Sequence, residues 1–251
     1  MHRLFITRDQ LTNDVLTLDP KTMHHLRNVC RLSVGDRIEC VMNQERLILA
    51  NITGITDDHV TISILDQWAV APKRKIAIAL IQSLPKQDKF SDICRMCTEI
   101  GVSDFYPTLT DYCQVHTLSS QKISRASKIL LSASQQSKQD IPPTLHDVMP
   151  LRQRLETIAN QQNTVYLFAD ETRQSTPNQW QTPAFQSLLS SHVCRVVLAI
   201  GPEGGYSDND RQTFESFNVT PMYLGPSILR TEHAGFAAIN QLDGFLGSYA
   251  P

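Results

Sequence analysis

Two stretches near the end of this 251-residue chain combine glycine with residues able to hold or move charge. The first, Gly201-Pro202-Glu203-Gly204-Gly205, follows the apolar run Val193–Ile200. Three glycines in five residues permit φ > 0 and let a ligand approach bare backbone N–H and C=O groups. The second, Leu224-Gly225-Pro226-Ser227-Ile228-Leu229-Arg230-Thr231-Glu232, follows Val219–Leu224. Here Ile228 and Leu229 can sandwich a flat heterocycle whose edge is read by main-chain groups. Arg230 beside them could orient an acidic group or stabilise an anion. Glu203 and Glu232 are the nearest candidates for a base or a positioning group. Glu203 could equally anchor its own loop through backbone N–H groups, and Glu232 could be a first-turn acid favoured by the helix dipole. The first stretch does not match G-x-G-x-x-G or the P-loop, which argues against a nucleotide phosphate.

Strands must end where these bends begin, and helices must follow them. Beyond residue 75 the pattern reads strand, helix, strand, helix: Ile76–Leu84, Lys86–Ile100, Val102–Pro107, Ser119–Gln139, Leu151–Ala159, Val165–Ala169, Val193–Ile200, Ser207–Phe217, Val219–Leu224 and Glu232–Leu246. Ser207 and Asp210 can cap their helix, and Pro142-Pro143 stops the one before them. Such alternation predicts a largely parallel α/β sheet with helices on both faces and the site at the carboxyl ends of its strands.

Before residue 66 the alternating runs are short: Arg3–Ile6, Arg37–Met42, Arg46–Ile55 and Val60–Leu65, which predicts a small β-barrel or sandwich. Asp19-Pro20 can start a helix running through Val29, bringing His24, His25, Arg27 and Arg31 close together, either as a basic contact surface or as a solvated face. The polar and then basic stretch Gln67–Lys75 marks the boundary, giving domains 1–70 and 71–251.

Composition narrows the functional classes. With 41% apolar and 19% charged residues the chain is expected to fold rather than to be disordered or collagenous. Its longest apolar run, Ile76–Ile81, falls well short of a membrane span, and residues 1–30 lack a signal pattern, so a cytoplasmic protein is expected. Lys and Arg number 23 against 25 Asp and Glu. No segment is a basic arm, so an RNA partner must find its cations locally. Six cysteines do not form a disulfide framework at this length. Cys94-x-x-Cys97 lacks a second ligand pair and shares an apolar helical stripe with Phe90, Ile93 and Ile100, so no metal is expected.

The Gly201–Gly205 loop, followed about 20 residues later by Leu224-Gly-x-x-Ile-Leu-Arg-Thr-Glu232, resembles the paired cofactor loops of the SPOUT methyltransferases, in particular the 16S rRNA uridine-N3 methyltransferases of the RsmE type. The resemblance covers the whole chain. His25-Leu26-Arg27-x-Val29-x-Arg31-Leu32-x-Val34-Gly35-Asp36 is similar to that family's PUA-like RNA-binding domain, and Lys86-Gln-Asp-Lys89 with Thr98-Glu99-Ile100-Gly101-Val102 is similar to the first helix of its catalytic domain. The resemblance implies a trefoil-knotted α/β domain, a homodimer, S-adenosylmethionine (SAM) as methyl donor, and small-subunit rRNA as partner. Carried over by position, donor contacts would come from Ile200, Gly201, Gly204, Gly205, Leu224, Gly225, Ile228, Leu229 and Thr231. Arg230 would stabilise the uracil anion, with Glu203 and Glu232 beside it. RNA contacts would come from Arg3, His25, Arg27, Arg31, Lys86, Lys89 and Lys138.

The chain departs from the family mostly by losing charge. Met96 stands where relatives have Lys, Asp111-Tyr112 replaces an acidic-Arg pair, and Gln135-Gln136-Ser137-Lys138-Gln139 ends in Gln rather than Arg. His233 replaces a Thr after Arg230-Thr231-Glu232. These substitutions motivate an alternative of the same fold, an RNA-binding ribosome-assembly factor without turnover. A further alternative keeps the enzyme and changes its RNA target.

Overall fold

A computed structural model describes residues 1–71, 73–159, 161–171, 179–188 and 192–247. Pro72, within the expected boundary, lies outside these residues. The chain divides into two units, Met1–Pro72 with Ser134–Ile141, and Lys73–Ala133 with Pro142–Pro251.

In the first unit, β1 (His2–Ile6), β2 (Leu11–Thr12), β3 (Val15–Thr17), β4 (Arg37–Met42), β5 (Arg46–Ile55) and β6 (His59–Ala69) form a six-stranded sheet in the order β1-β4-β5-β6-β3-β2. Only β1 and β4 pair in parallel. Alternate residues such as Ile38 and Cys40 on β4, and Ile48, Ala50 and Ile52 on β5, turn into one core with Leu4, Leu16 and Ile62. Register shifts at Leu49/Ala50 and Ile52/Gly54 interrupt the ladder and bend the two long strands. The expected helix after Asp19 is α1 (Pro20–His24), capped by the Asp19 carboxylate, which accepts the Lys21 and Thr22 N–H groups. It passes into a π-helical turn, His25–Val29, rather than continuing as α-helix.

The second unit holds β7 (Ala77–Ser83), α2 (Lys89–Glu99), β8 (Asp104–Leu109), α3 (Ser120–Gln136, whose last residues belong to the first unit), β9 (Thr144–Leu145), β10 (Met149–Pro150), α4 (Leu151–Ile158), β11 (Thr164–Ala169), α5 (Pro183–Ser187), β12 (Arg195–Ile200), α6 (Asp208–Ser216), β13 (Thr220–Met222) and α7 (Thr231–Leu246). Every ladder of its sheet is parallel, in the order β10-β8-β7-β12-β11-β13 with β9 beside β8. Strict alternation in the central strands supplies two cores. Ile78, Leu80, Val196, Leu198 and Ile200 face one side with residues of α2, α3 and α7, while Ala79, Ile81, Val197 and Ala199 face the other with residues of α4 and α6.

Several elements begin or end elsewhere than the sequence pattern suggests. Helix α2 starts at Lys89 rather than Lys86 because Gln87 adopts φ +56°, which a right-handed helix does not admit. Helix α3 stops before Lys138, at φ +59°. Strand β13 has only three residues, because beyond Met222 the backbone of Tyr223 exchanges two hydrogen bonds with the Gln179 side chain instead of a neighbouring strand. Cys94 and Cys97 lie in the apolar core, where burial raises both thiols, that of Cys97 to about 12. Among the described residues no cluster suited to a metal ion occurs, and no helix is long and apolar enough to cross a membrane.

Candidate active site

The carboxyl ends of β12 and β11 and the bend after β13 meet around one cleft of about 460 Å³. The bend Gly201–Gly205 leaves β12 directly. Gly205 holds φ +67°, a left-handed conformation that strains any side-chain-bearing residue, and a Cβ on it would displace the Glu171 carboxylate. The following helix is started by Ser207 and Asp210, which cap reciprocally. The second bend carries Gly225 at φ +133°, with open space around it, and ends at Arg230, the N-cap of α7.

Side chains tie these bends together. Thr231 Oγ1 donates to the Gly201 carbonyl at 2.6 Å, and Gln82 Nε2, from the end of β7, donates to Thr231 Oγ1 at 3.0 Å and to the Ser83 carbonyl at 3.0 Å. Both side chains are buried. From α7, Gln241 donates to the Leu224 carbonyl at 2.8 Å. On the β11 side, the buried Asp170 carboxylate accepts from Arg211 at 3.2 Å, and Arg211 also donates to the Tyr206 carbonyl just past the first bend.

All the donor contacts expected from the sequence line the cleft except Gly204. Its α-carbon faces Tyr112 instead, with a Cβ there only 3.2 Å from Tyr112 Cβ. Ile228 is 81% exposed and Leu229 36%, an apolar pair left open beside the glycine bend. Arg230 and Glu203 line the cleft as well. Among the described residues the Arg230 side chain has no hydrogen-bond or ion-pair partner.

Glu203 is bound into the wall. Its carboxylate accepts the Lys86 N–H at 3.1 Å and lies 3.1 Å from Lys89 Nζ, which in turn is 3.2 Å from Glu232. Burial alone would raise Glu203, but its own backbone N–H and the Lys89 ammonium hold it below the ordinary carboxylate range. The same balance lowers Glu232, and Lys89 is raised, chiefly by Glu203.

The cations assigned to RNA divide sharply. Arg3 is a correction: it is 7% exposed, paired with Glu39 at 2.9 Å and with Asp140, and so has no free charge to present. Lys138 lies 2.9 Å from the same Glu39 carboxylate. Arg27 pairs with Asp57 at the surface, while His25 and Arg31 are exposed. Lys89 belongs to the cleft wall.

Sequence reasoning missed Gln82 and the Ala169–Glu171 corner, all at strand ends on the site side. A polar residue closing an apolar strand, as Gln82 closes Ile76–Ile81, was the available signal. Glu171 is exposed, and among the described residues it has no hydrogen-bond or ion-pair partner.

Residues 72–243 match the family described as the RNA methyltransferase domain, and residues 18–65 match the RNA methyltransferase PUA domain. The Ribosomal RNA small subunit methyltransferase E of Synechocystis sp. is 28% identical over 248 residues, spanning 98% of this chain and 78% of that protein. Its namesake in Rickettsia conorii is 26% identical over 250 residues, spanning 99% and 97%. In fold, the crystal structure of a Ribosomal RNA small subunit methyltransferase E from Neisseria gonorrhoeae bound to S-adenosyl methionine superposes with a TM-score of 0.82 at 23% identity, covering 97% of each chain. The architecture is therefore the SPOUT-type α/β fold with a PUA-like unit, and, as the pair of glycine bends around one cleft had indicated, the chain belongs to the RNA methyltransferase family.

Proposed function

We propose that the protein transfers a methyl group from SAM to N3 of a uridine in 16S rRNA of the small ribosomal subunit. The observation that carries this reading is the lock between the bends: Thr231 and Gln82 fasten the start of α7 to Gly201, framing a cleft of bare main chain and open apolar side chains with one unpartnered guanidinium at its edge. Two small-subunit rRNA methyltransferases that match nearly the whole chain support the substrate class.

The residues suit an adenosyl sulfonium. A cleft of about 460 Å³ lies within the usual range for a small ligand. Ile200, Leu224, Ile228 and Leu229 offer apolar surface to a flat base, while Gly201, Gly205 and Gly225 keep the backbone open to its polar edge. Glu171, the wall carboxylate with no described partner, takes an amino or hydroxyl group of the donor. SAM, when bound, supplies an electrophilic methyl group on sulfur.

Arg230 is placed to stabilise the negative charge that develops on uracil as N3 loses its proton. Glu203 and Glu232 act differently from a general base. Held ionised below the ordinary range, they accept protons poorly and serve to fix Lys89 and the first bend, so the N3 proton passes to solvent base. Two further features complete the reading. The protein works in the cytoplasm as a homodimer, and the segment after β12 is threaded as a trefoil knot, with exposed His25 and Arg31 of the first unit and Lys86 of the second adding cations toward RNA.

The test is methyl transfer from tritiated SAM to small subunits lacking the modification, with the product nucleotide mapped by mass spectrometry. Label on N3 of one uridine supports the reading. Calorimetric SAM binding without transfer would make the protein an assembly factor instead, and label on another base would reassign the target.

A further inference from the structure

A second groove, of about 350 Å³, lies on the first unit and takes no part in the site above. Arg8, Met42, Arg46, Gln67 and Trp68 line it. Trp68 lies opposite the buried Leu47 in the β5–β6 ladder, yet 45% of the residue remains exposed. An exposed indole costs hydration free energy that a stacked ring would recover. Among the described residues Arg46 donates only to the neutral Gln67 side chain, at 3.2 Å, so its charge has no described counter-ion there. The Arg8 backbone N–H is fixed to Asn43 Oδ1 at 3.2 Å, and among the described residues its guanidinium has no partner. Glu45 is the one carboxylate on the wall, leaving the groove with a net positive charge.

Three other cations of this unit are already engaged: Arg3 and Lys138 are paired with Glu39, and Arg27 with Asp57. We propose that the groove is a nucleotide subsite, in which an unpaired base of the RNA stacks on Trp68 while flanking phosphates are held by Arg8 and Arg46. An aromatic face beside two guanidinium groups is the arrangement that binds single strands without reading their sequence. An acidic peptide would use the two cations but would have no need of the ring. The inference rests on the RNA-methyltransferase reading for the identity of its RNA, but not for the binding it predicts.

The full chain has two tryptophans, Trp68 and Trp180, so the Trp180→Phe variant leaves Trp68 as sole reporter. Titration with a single-stranded oligoribonucleotide of about eight residues should quench its fluorescence saturably. Measured by the anisotropy of a fluorophore-labelled oligomer, Trp68→Ala should weaken binding roughly 5- to 100-fold, and Trp68→Phe should retain most of the affinity. Arg8→Ala and Arg46→Ala should each flatten the plot of log affinity against log salt by about 0.7. Unaltered SAM binding and melting temperature establish that a variant is folded. Should Trp68→Ala not fold, Trp68→Phe and the two exposed arginine variants still carry the test. Absent quenching, unchanged affinity in Trp68→Ala, equal loss in Trp68→Phe, or an effect confined to the arginines would overturn the proposal. Wild-type methyl transfer, measured in parallel, separates the two readings: transfer with groove variants silent sinks the groove alone, and groove binding without transfer sinks the enzyme alone.

Discussion

Among the described residues Arg230 is the unpaired cation of the cleft wall, because the other charged groups there, Lys89, Asp170 and Glu203, are paired, and Glu171 carries the opposite sign. Arg230→Ala should lower the rate of methyl transfer by about 100-fold while leaving SAM affinity nearly unchanged, as expected for a donor that acts on a developing anion. Single-turnover rates and calorimetry measure the two effects separately; a large loss of SAM affinity would make Arg230 a donor-binding residue. Proton removal to solvent base gives a second expectation. Below the N3 pKa the single-turnover rate should climb about tenfold per pH unit, and Glu203→Gln should keep that slope even though it loosens the first bend. A slope abolished in Glu203→Gln would restore Glu203 as the base. The depressed carboxylates also set an acid limit. Their contribution is complete above the ordinary carboxylate range and is lost as pH falls through their lowered values. Lys89, raised by its partners, contributes at all pH values below the ordinary lysine range and loses its contribution only as pH rises through its raised value. SAM affinity should therefore hold through neutral pH and fall either as pH drops through the lowered carboxylate values or as it rises through the raised lysine value.

Elements position these residues, and the bends are their weakest joints. Gly205→Ala should weaken SAM binding, since a residue with a Cβ is strained at φ +67° and its methyl group pushes the Glu171 carboxylate aside. Thr231→Val removes the hydroxyl that joins α7 to the first bend and strands the Gln82 amide in a buried site. It should cost about 1–3 kcal/mol in urea unfolding and weaken SAM. At the far end of α7, the buried Asp243 carboxylate meets Arg74 at 2.6 Å. Arg74→Ala leaves that acid alone, and a loss of about 3 kcal/mol or more is expected. Much of this layer was legible in the sequence. The run Ile76–Ile81 and the Val196–Ile200 strand announce central parallel strands because both faces are covered, and three glycines at a strand end announce a main-chain site. What was not legible depends on distant partners. Burial of Arg3 requires Glu39 and Asp140, the latter 137 residues away. The role of Gln82 appears only when Thr231, 149 residues later, folds against it. The late start of α2 follows from one left-handed residue, Gln87, that carries no glycine to signal it.

Across the whole molecule, the chain divides into two units, each with a core of its own, and the proposed function gives RNA contacts to the first and methyl transfer to the second. Met96, Tyr112 and Gln139 are uncharged where the family resemblance implies cations, so the RNA affinity should depend on the cations and aromatic ring the first unit does expose. The central claim, that two main-chain bends and an open apolar pair form the donor site, is tested most directly by calorimetric titration of SAM into the wild type and the Ile228→Asp variant. Ile228 is 81% exposed, so the substitution leaves the fold intact while putting a solvated charge where the base should lie. Saturable binding to the wild type, at least about tenfold weaker in Ile228→Asp at an unchanged melting temperature, is the predicted result. No heat with the wild type, or equal affinity in the variant, would contradict the account.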